Sequence, residues 1–133
     1  MNKILYASLV LFLSLIFVGC VSKTPVKMTN TDIQEMANNL SIQQIERSIY
    51  KAATEAGWRL YKVRDGHLMG DYYIEQYSVS VDITYTQDSY EIIHNSSKNL
   101  KYDGKKILSP YNEWIEELDA KIQRAIMQTS SQM

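Results

Sequence analysis

The stretch from Tyr77 to Tyr85, YSVSVDITY, decides the fold. Large side chains, beginning with Tyr77 and Val79, alternate with Ser, Asp and Thr along its whole length. Because successive side chains of a strand point to opposite sides, this alternation predicts a β-strand with one buried face and one solvent-exposed face. A sheet built around such a strand needs cover on one side only.

Shorter patterns on both sides extend this strand into a sheet. Asp65-Gly66 is a strong two-residue hairpin pattern, and Gln87-Asp88 predicts a second turn. Beyond it, Tyr90 and Ile92 continue the buried face. Because the links are short, we expect an antiparallel meander of four strands. The polar segment Asn95–Lys106, which contains a Gly, is predicted to be a loop.

Two amphipathic helices flank the predicted strands. Residues 41–56 carry an apolar stripe at helical spacing, and Ser41 with Gln44 forms a capping-box pattern at the start. Gly57 is placed to end this helix. The last helix is predicted to begin at Ser109-Pro110, with Ser as the N-cap and Pro in the first helical position.

These elements predict a two-layer α+β domain. The expected architecture is a four-stranded antiparallel meander sheet with the N- and C-terminal helices packed on one face. The single α-β-β-β-β-α domain is expected to span residues 41–128, followed by a frayed tail over 129–133. The chain has 133 residues, 45% of them apolar, which suits one small domain with a packed core.

The first residues predict export. Lys3 precedes the apolar run 4–18, which is shorter than the roughly 20 residues of a membrane-spanning helix. The run closes with Phe17-Val18-Gly19-Cys20, which resembles the lipobox of bacterial lipoproteins, although Phe17 stands where Leu is usual. The resemblance implies a signal peptide over residues 1–19 and a covalent lipid on Cys20. An ordinary signal peptide and an uncleaved anchor are the alternatives.

Residues 20–40 are predicted to comprise the acylated Cys and a tether. The polar stretch 21–31 has no apolar period, and a flexible chain of about twenty residues would span roughly 25 Å. In lipoproteins of bacteria with two membranes, Asp after the acylated Cys favours retention in the inner membrane. Val21 occupies that position here. The resemblance therefore implies the outer membrane, on its periplasmic face, in preference to the inner membrane.

Several short blocks between residues 41 and 126 carry a wider resemblance. They are Gly57-Trp58, Gly66-His67, Val81-Asp82-Ile83-x-Tyr85, Tyr90-x-Ile92, Ser97-x-Asn99-Leu100-x-Tyr102 and Tyr111-Asn112-x-Trp114-Ile115-x-x-Leu118. The set resembles a family of small, mostly uncharacterised bacterial lipoproteins. That family has a His shortly before the last block, where this chain has Leu108 and Ser109, so any role of that His does not transfer. The resemblance implies the fold and the location, and no activity.

The composition argues against several classes of function. With 14 basic and 15 acidic residues, the chain lacks the positive excess of a nucleic-acid-binding protein. One Cys and two His give a weak basis for a metal site, even if the meander brings His67 and His94 together. Asp82 has no visible base or nucleophile beside it in the pattern. We therefore predict no catalytic residue, no metal and no cofactor other than the lipid.

Aromatic and amide side chains are the candidates for binding. The chain has ten Tyr, a residue that is enriched at interfaces, and Tyr73 is predicted on the wet face opposite Tyr72. The two most distinctive blocks flank the 95–106 loop, where they either pin the loop onto the last helix, which we favour, or form a recognition patch. The candidate binding residues are Asn99, Leu100, Tyr102, Tyr111, Asn112, Trp114 and Tyr73.

The sequence is best interpreted as that of a non-enzymatic lipoprotein of the bacterial cell envelope. It would be anchored to the membrane by acylated Cys20, and its small periplasmic domain would dock onto an envelope protein assembly. The edge strands of the meander could accept a partner strand. The alternative is a periplasmic small-molecule or glycan-binding module, with peptidoglycan fragments as ligands near residues 95–114. A hydrolase that uses Asp82 or His94 has the weakest support.

Overall fold

The structure is a computed structural model that describes residues 22–133. The predicted signal peptide over residues 1–19 and the lipid attachment at Cys20 lie outside the described residues, so both stay predictions. In chain order the elements are β1 (Lys23–Pro25), β2 (Thr29–Asp32), α1 (Ile42–Glu55), β3 (Arg59–Arg64), β4 (His67–Ile74), β5 (Tyr77–Tyr85), β6 (Ser89–Lys98), β7 (Lys106–Leu108) and α2 (Pro110–Ser131).

The α+β class is confirmed, and the sheet is larger than predicted. β3 to β6 form an antiparallel meander, and β2 adds a fifth strand beside β6, which gives the order β2-β6-β5-β4-β3. β1 and β7 pair separately as a two-stranded antiparallel sheet. The prediction of four strands was wrong in this detail, because β2 is a short polar strand whose partner lies far along the sequence.

The tether predicted for residues 20–40 is wrong for residues 22–40, which belong to the fold. β1 pairs with β7 and β2 pairs with β6, so their backbone groups are satisfied by strands late in the chain. Ile33, Ala37 and Leu40, which follow β2, are 0%, 2% and 4% exposed. Tertiary pairing outweighs the weak local pattern here, as is usual for strand preference.

α1 begins with the predicted capping box. Ser41 Oγ accepts from the Gln44 backbone N–H at 3.2 Å, and Gln44 Oε1 accepts from the Ser41 N–H at 2.8 Å. Ile45 and Ile49 are fully buried on the inner side of the helix. Gly57 follows the helix at a φ of 89°, a backbone conformation that residues other than Gly rarely adopt.

α2 begins at Pro110, as predicted, but the capping detail differs. Ser109 makes no side-chain capping bond, so the start relies on the Pro in the first turn. The helix runs to Ser131, and the Thr129 hydroxyl lies 2.9 Å from the Ser48 hydroxyl of α1. The prediction of a frayed tail over 129–133 was therefore wrong for residues 129–131, which belong to the helix.

Both helices pack against the same face of the sheet. On that face Tyr85 donates a hydrogen bond to Glu46 of α1 at 2.7 Å, and Tyr90 donates one to Asp119 of α2 at 2.5 Å. Both tyrosine side chains are buried. The other side of the sheet has no covering element among residues 22–133.

β6 continues through the first part of the predicted 95–106 loop. Its pairing with β5 shifts so that Val81 faces His94 while Ser80 faces Ser96, which leaves Asn95 as an extra residue in a bulge. The loop prediction was wrong for residues 95–98, and for Lys106, which opens β7. Polar Asn and Ser are tolerated in a strand here because the bulge lies on the uncovered side of the sheet.

Candidate functional site

The side of the β3–β6 sheet that faces away from the helices, called the open face below, has no element packed on it among residues 22–133. Cross-strand pairing sets its side chains in rows, with Asp71 opposite Ser80 and Tyr73 opposite Ser78. Tyr73 is 70% exposed on this face, as predicted. Its neighbour Tyr72 points to the helices and stacks on Trp58 with ring centroids 4.9 Å apart. The alternation therefore places Tyr72 in the packing between sheet and helices and leaves Tyr73 exposed to solvent.

The edge of the sheet at β3 is open. β3 pairs with β4 on one side, and no strand within residues 22–133 pairs with its other side. Half of the eight exposed large apolar side chains in this range lie on β3 and β4; they are Tyr61, Val63, Tyr73 and Ile74. Tyr61 is 43% and Val63 47% exposed on the edge strand itself. An edge strand with apolar side chains is a template for a further strand.

A groove of about 310 Å³ lies on the open face near the end of β6. It is lined by Asp71, Tyr73, Ser78, Val79, Ser80, Ser96, Ser97 and Lys98. Hydroxyl groups, one carboxylate and one exposed ring are the groups that a polyol would contact. Among the predicted binding residues, Tyr73 alone lines this groove.

Asp82 lies on the open face between two hydrogen-bonding neighbours. Its Oδ1 lies 2.7 Å from His67 Nε2, and its Oδ2 accepts from Asn95 Nδ2 at 2.8 Å. Burial opposes ionisation of the carboxyl group, but the hydrogen bonds from Asn95 and His67 outweigh burial and lower the pKa of Asp82 below its ordinary value. The arrangement holds a carboxylate in its ionised form.

His94 lies on the opposite side of the sheet from His67. Its ring packs against Tyr102 with centroids 4.1 Å apart and an angle of 39° between the ring planes, and it meets the edge of Tyr111 at 5.3 Å. Its Nε2 lies 2.9 Å from the Ser97 hydroxyl, and burial lowers the pKa of His94. The two His therefore do not share a site, and no group of three or more His, Cys, Asp or Glu in residues 22–133 is arranged to hold a metal ion.

Asn112 fastens the start of the described chain to α2. Its Oδ1 accepts from the Lys27 backbone N–H, while its Nδ2 donates to Thr24 Oγ1 and to the Pro25 carbonyl, each at 2.9 Å. The sequence places Asn112 beside the 95–106 loop, but its partners lie around β1. Three of the four hydrogen bonds that its amide can form therefore serve the fold.

The remaining candidate residues are distributed between the core and the surface. Leu100 and Tyr111 are 1% and 0% exposed, so both are core residues. Trp114 is half-buried and packs against Tyr72 and Tyr77 with ring centroids 5.4 and 5.9 Å away.

Asn99 and Tyr102 lie on either side of buried Leu100. Asn99 has a φ of 65° and donates from Nδ2 to the Gln76 carbonyl at 2.6 Å, which ties this segment to the turn between β4 and β5. Tyr102 is 43% exposed. Leu100 inserts into the core between these two residues, so the block pins the segment in place.

No family model matches the chain, and no curated protein matches it. None of the helices in residues 22–133 combines the length and apolar character needed to cross a bilayer.

Proposed function

We propose that this protein is a non-enzymatic lipoprotein of the bacterial cell envelope whose domain docks onto an envelope protein assembly through the free edge of β3. The observation that carries the proposal is the free outer edge of the six-residue strand β3, which pairs only with β4 among residues 22–133 and has Tyr61 and Val63 exposed along it. Unpaired backbone N–H and C=O groups along such an edge can hydrogen-bond an incoming strand, and exposed side chains then select its sequence.

The charges of β3 indicate the character of the partner strand. Lys62 is already paired, with its Nζ 2.9 Å from Asp65 and 3.3 Å from Glu46. Arg59 and Arg64 are exposed, and neither has a salt bridge within residues 22–133. The partner segment is therefore expected to be extended and to alternate apolar with acidic side chains.

The anchor part of the proposal depends on the sequence before the described residues. The lipobox-like Phe17-Val18-Gly19-Cys20 and the apolar run before it support acylation of Cys20. Two or more acyl chains hold a protein stably to a bilayer, whereas one does so marginally. With Val21 after the Cys, we place the protein at the outer membrane, facing the periplasm, among the small lipoproteins that its sequence blocks resemble.

Site-specific photocrosslinking in intact cells tests the docking. A photoreactive residue at Val63 is expected to capture one protein reproducibly, while the same probe at Met127, a comparably exposed side chain on α2, is not. Val63→Pro should abolish capture by a probe at Tyr61, because Pro has no backbone N–H and fixes the backbone at the register shift between Lys62 and Arg64. Equal capture at Val63 and Met127, or capture that survives Val63→Pro in a folded variant, would contradict the proposal.

The groove on the open face supports a second candidate, a periplasmic glycan-binding module. Tyr73 and the hydroxyl groups of Ser78, Ser80 and Ser96 offer a stacking surface with hydrogen-bonding groups beside it. Titration of soluble peptidoglycan fragments, followed by NMR, should then shift resonances around the groove. Tyr73→Ala should remove the shifts and Tyr102→Ala should leave them. An unperturbed spectrum would exclude this candidate.

A further inference from the structure

The folded part of the chain begins almost at the proposed lipid-bearing Cys. The Ser22 carbonyl accepts a 3.0 Å hydrogen bond from the backbone N–H of Ser109, and β1 starts at the next residue, Lys23. One residue, Val21, separates Ser22 from Cys20 in the sequence. Because an extended chain spans at most about 3.6 Å per residue, the two residue steps between Cys20 and Ser22 can bridge at most about 7 Å. This distance is far shorter than the tether that the sequence suggested.

Exposed lysines lie on the segment that leads into β7, the strand that pairs with β1. Lys98, Lys101, Lys105 and Lys106, called the basic end below, lie on the segment that leads from β6 into β7. β7 is the strand with which β1 pairs, and Pro25 lies opposite Lys106 in that pair. Within residues 22–133, no acidic group forms a salt bridge with any of these four lysines.

Acidic groups near the basic end are largely occupied. Asp103 pairs with Lys23 at 2.8 Å and also accepts the backbone N–H groups of Lys105 and Lys106. Glu116 pairs with Lys27 at 3.0 Å. Glu113, in the first turn of α2, is exposed and opposes the positive charge. Asp71, which lines the groove beside Lys98, is a second carboxylate without a salt bridge in the described part of the chain. Four unpaired cations against these two carboxylates leave the end of the domain positive.

We propose that the basic end binds the headgroups of anionic phospholipids directly, so that the domain lies on the membrane in a fixed orientation. The proposal rests on acylation of Cys20 in the function proposed above. Charges act on a membrane surface only within about a Debye length, roughly 8 Å at physiological ionic strength, and the short link keeps the lysines near that range. Tyr102, 43% exposed within the same segment, is a residue type that favours the headgroup region.

The test uses the acylated protein purified from cells, with lipid on Cys20 first verified by mass spectrometry. The protein is placed in nanodiscs of phosphatidylethanolamine, with either phosphatidylglycerol or neutral phosphatidylcholine as the second lipid. Backbone amide hydrogen exchange is then measured over residues 99–106. Each lysine near an anionic surface strengthens binding on the order of fivefold. We therefore expect amide exchange over residues 99–106 to be slower, on the order of tenfold, in nanodiscs with phosphatidylglycerol than in those with phosphatidylcholine. High salt should reverse the effect.

A matched pair of variants distinguishes binding through the basic end from a general effect of positive charge on the domain. Lys101→Gln, Lys105→Gln and Lys106→Gln together should remove the protection. The control neutralises three exposed cations on the helices, Arg47→Gln, Lys51→Gln and Arg124→Gln, and should retain it. Equal exchange in the two lipid mixtures, or equal behaviour of the two variants, would overturn the inference. Cys20 found without lipid would instead overturn the proposed function, so the two failures are distinguishable.

Discussion

Asn112 Oδ1 accepts a hydrogen bond from the backbone N–H of Lys27, a residue 85 positions earlier in the chain. The other end of the same amide donates to Thr24 and Pro25. One side chain in the first turn of α2 thereby holds the segment between β1 and β2 in place. This contact converts what the sequence presents as a polar linker into a part of the fold.

Asn112→Ala should therefore loosen the N-terminal segment. Each lost hydrogen bond in a part-buried site is worth about 1 kcal/mol, so we expect the free energy of unfolding to fall by roughly 2–3 kcal/mol. Urea denaturation measures the loss, and amide exchange should accelerate over Lys23–Pro25. Asn30→Ala, at an exposed position on β2, is the control and should change stability little. A similar loss in both variants would contradict the assigned role of Asn112.

His94 should make the domain less stable as the pH falls. Burial lowers the pKa of His94 below 6.5, its ordinary value, so the unfolded chain takes up a proton that the folded state resists. Its stabilising contribution is therefore complete above pH 6.5 and is lost as the pH falls. Tyr102, Tyr111 and Ser97 surround the ring, and none of these three residues carries a carboxylate.

Urea denaturation between about pH 8 and about pH 5 checks this prediction. His94→Gln should flatten the dependence of the free energy of unfolding on pH in that range. NMR titration of the imidazole gives an independent readout, and a midpoint at or above the ordinary His value would show the prediction to be wrong.

Tyr85 should make the domain less stable at high pH. Burial, together with the hydrogen bond to Glu46, raises the pKa of Tyr85 from 10.0 to about 12. Above pH 10 the unfolded chain loses the phenolic proton while the folded state keeps it, so stability is lost as the pH rises towards 12. In Tyr85→Phe this decline should be shallower by up to about 1.4 kcal/mol per pH unit. An unchanged slope in alkaline urea titrations would count against this assignment.

Gly70 should tolerate no larger side chain while Leu60 stays in place. A Cβ atom at Gly70 would lie 2.8 Å from Leu60 Cδ2, on the neighbouring strand β3. Gly70→Ala is expected to cost about 1–3 kcal/mol of stability, as overpacking does elsewhere. Combined with Leu60→Ala, the substitution should cost less than the sum of the two single changes. If the losses of unfolding free energy in thermal or urea unfolding were strictly additive, the cost of Gly70→Ala would not come from contact with Leu60.

The parts of the fold that depend on local pattern could be predicted from the sequence. The alternation over Tyr77–Tyr85 predicts β5, and Ser41 with Gln44 predicts the start of α1 to the residue. β1 and β2 could not be predicted in this way, because each is short, polar and stabilised by a strand more than fifty residues away. The shift at Asn95 was missed for a related reason, since a bulge depends on both strands of a pair.

The candidate site was less predictable than the fold. Distinctive blocks drew attention to Asn112 and Leu100, whose side chains are fully engaged inside the molecule. The exposed residues Tyr61 and Val63 of β3 stand in a stretch that alternates only weakly, so the pattern alone does not show which side faces solvent. Tyr73 was placed correctly because its partner Tyr72 occupies the buried side.

The position of β1 at the start of the described chain also has a mechanical consequence. A pulling force applied upstream of Ser22 first reaches the hydrogen bond to Ser109 and then the short ladder between β1 and β7. The five-stranded sheet lies behind these contacts. Such a force would therefore separate the three-residue strand β1 from β7 before it strained the rest of the domain, so this short ladder would yield first.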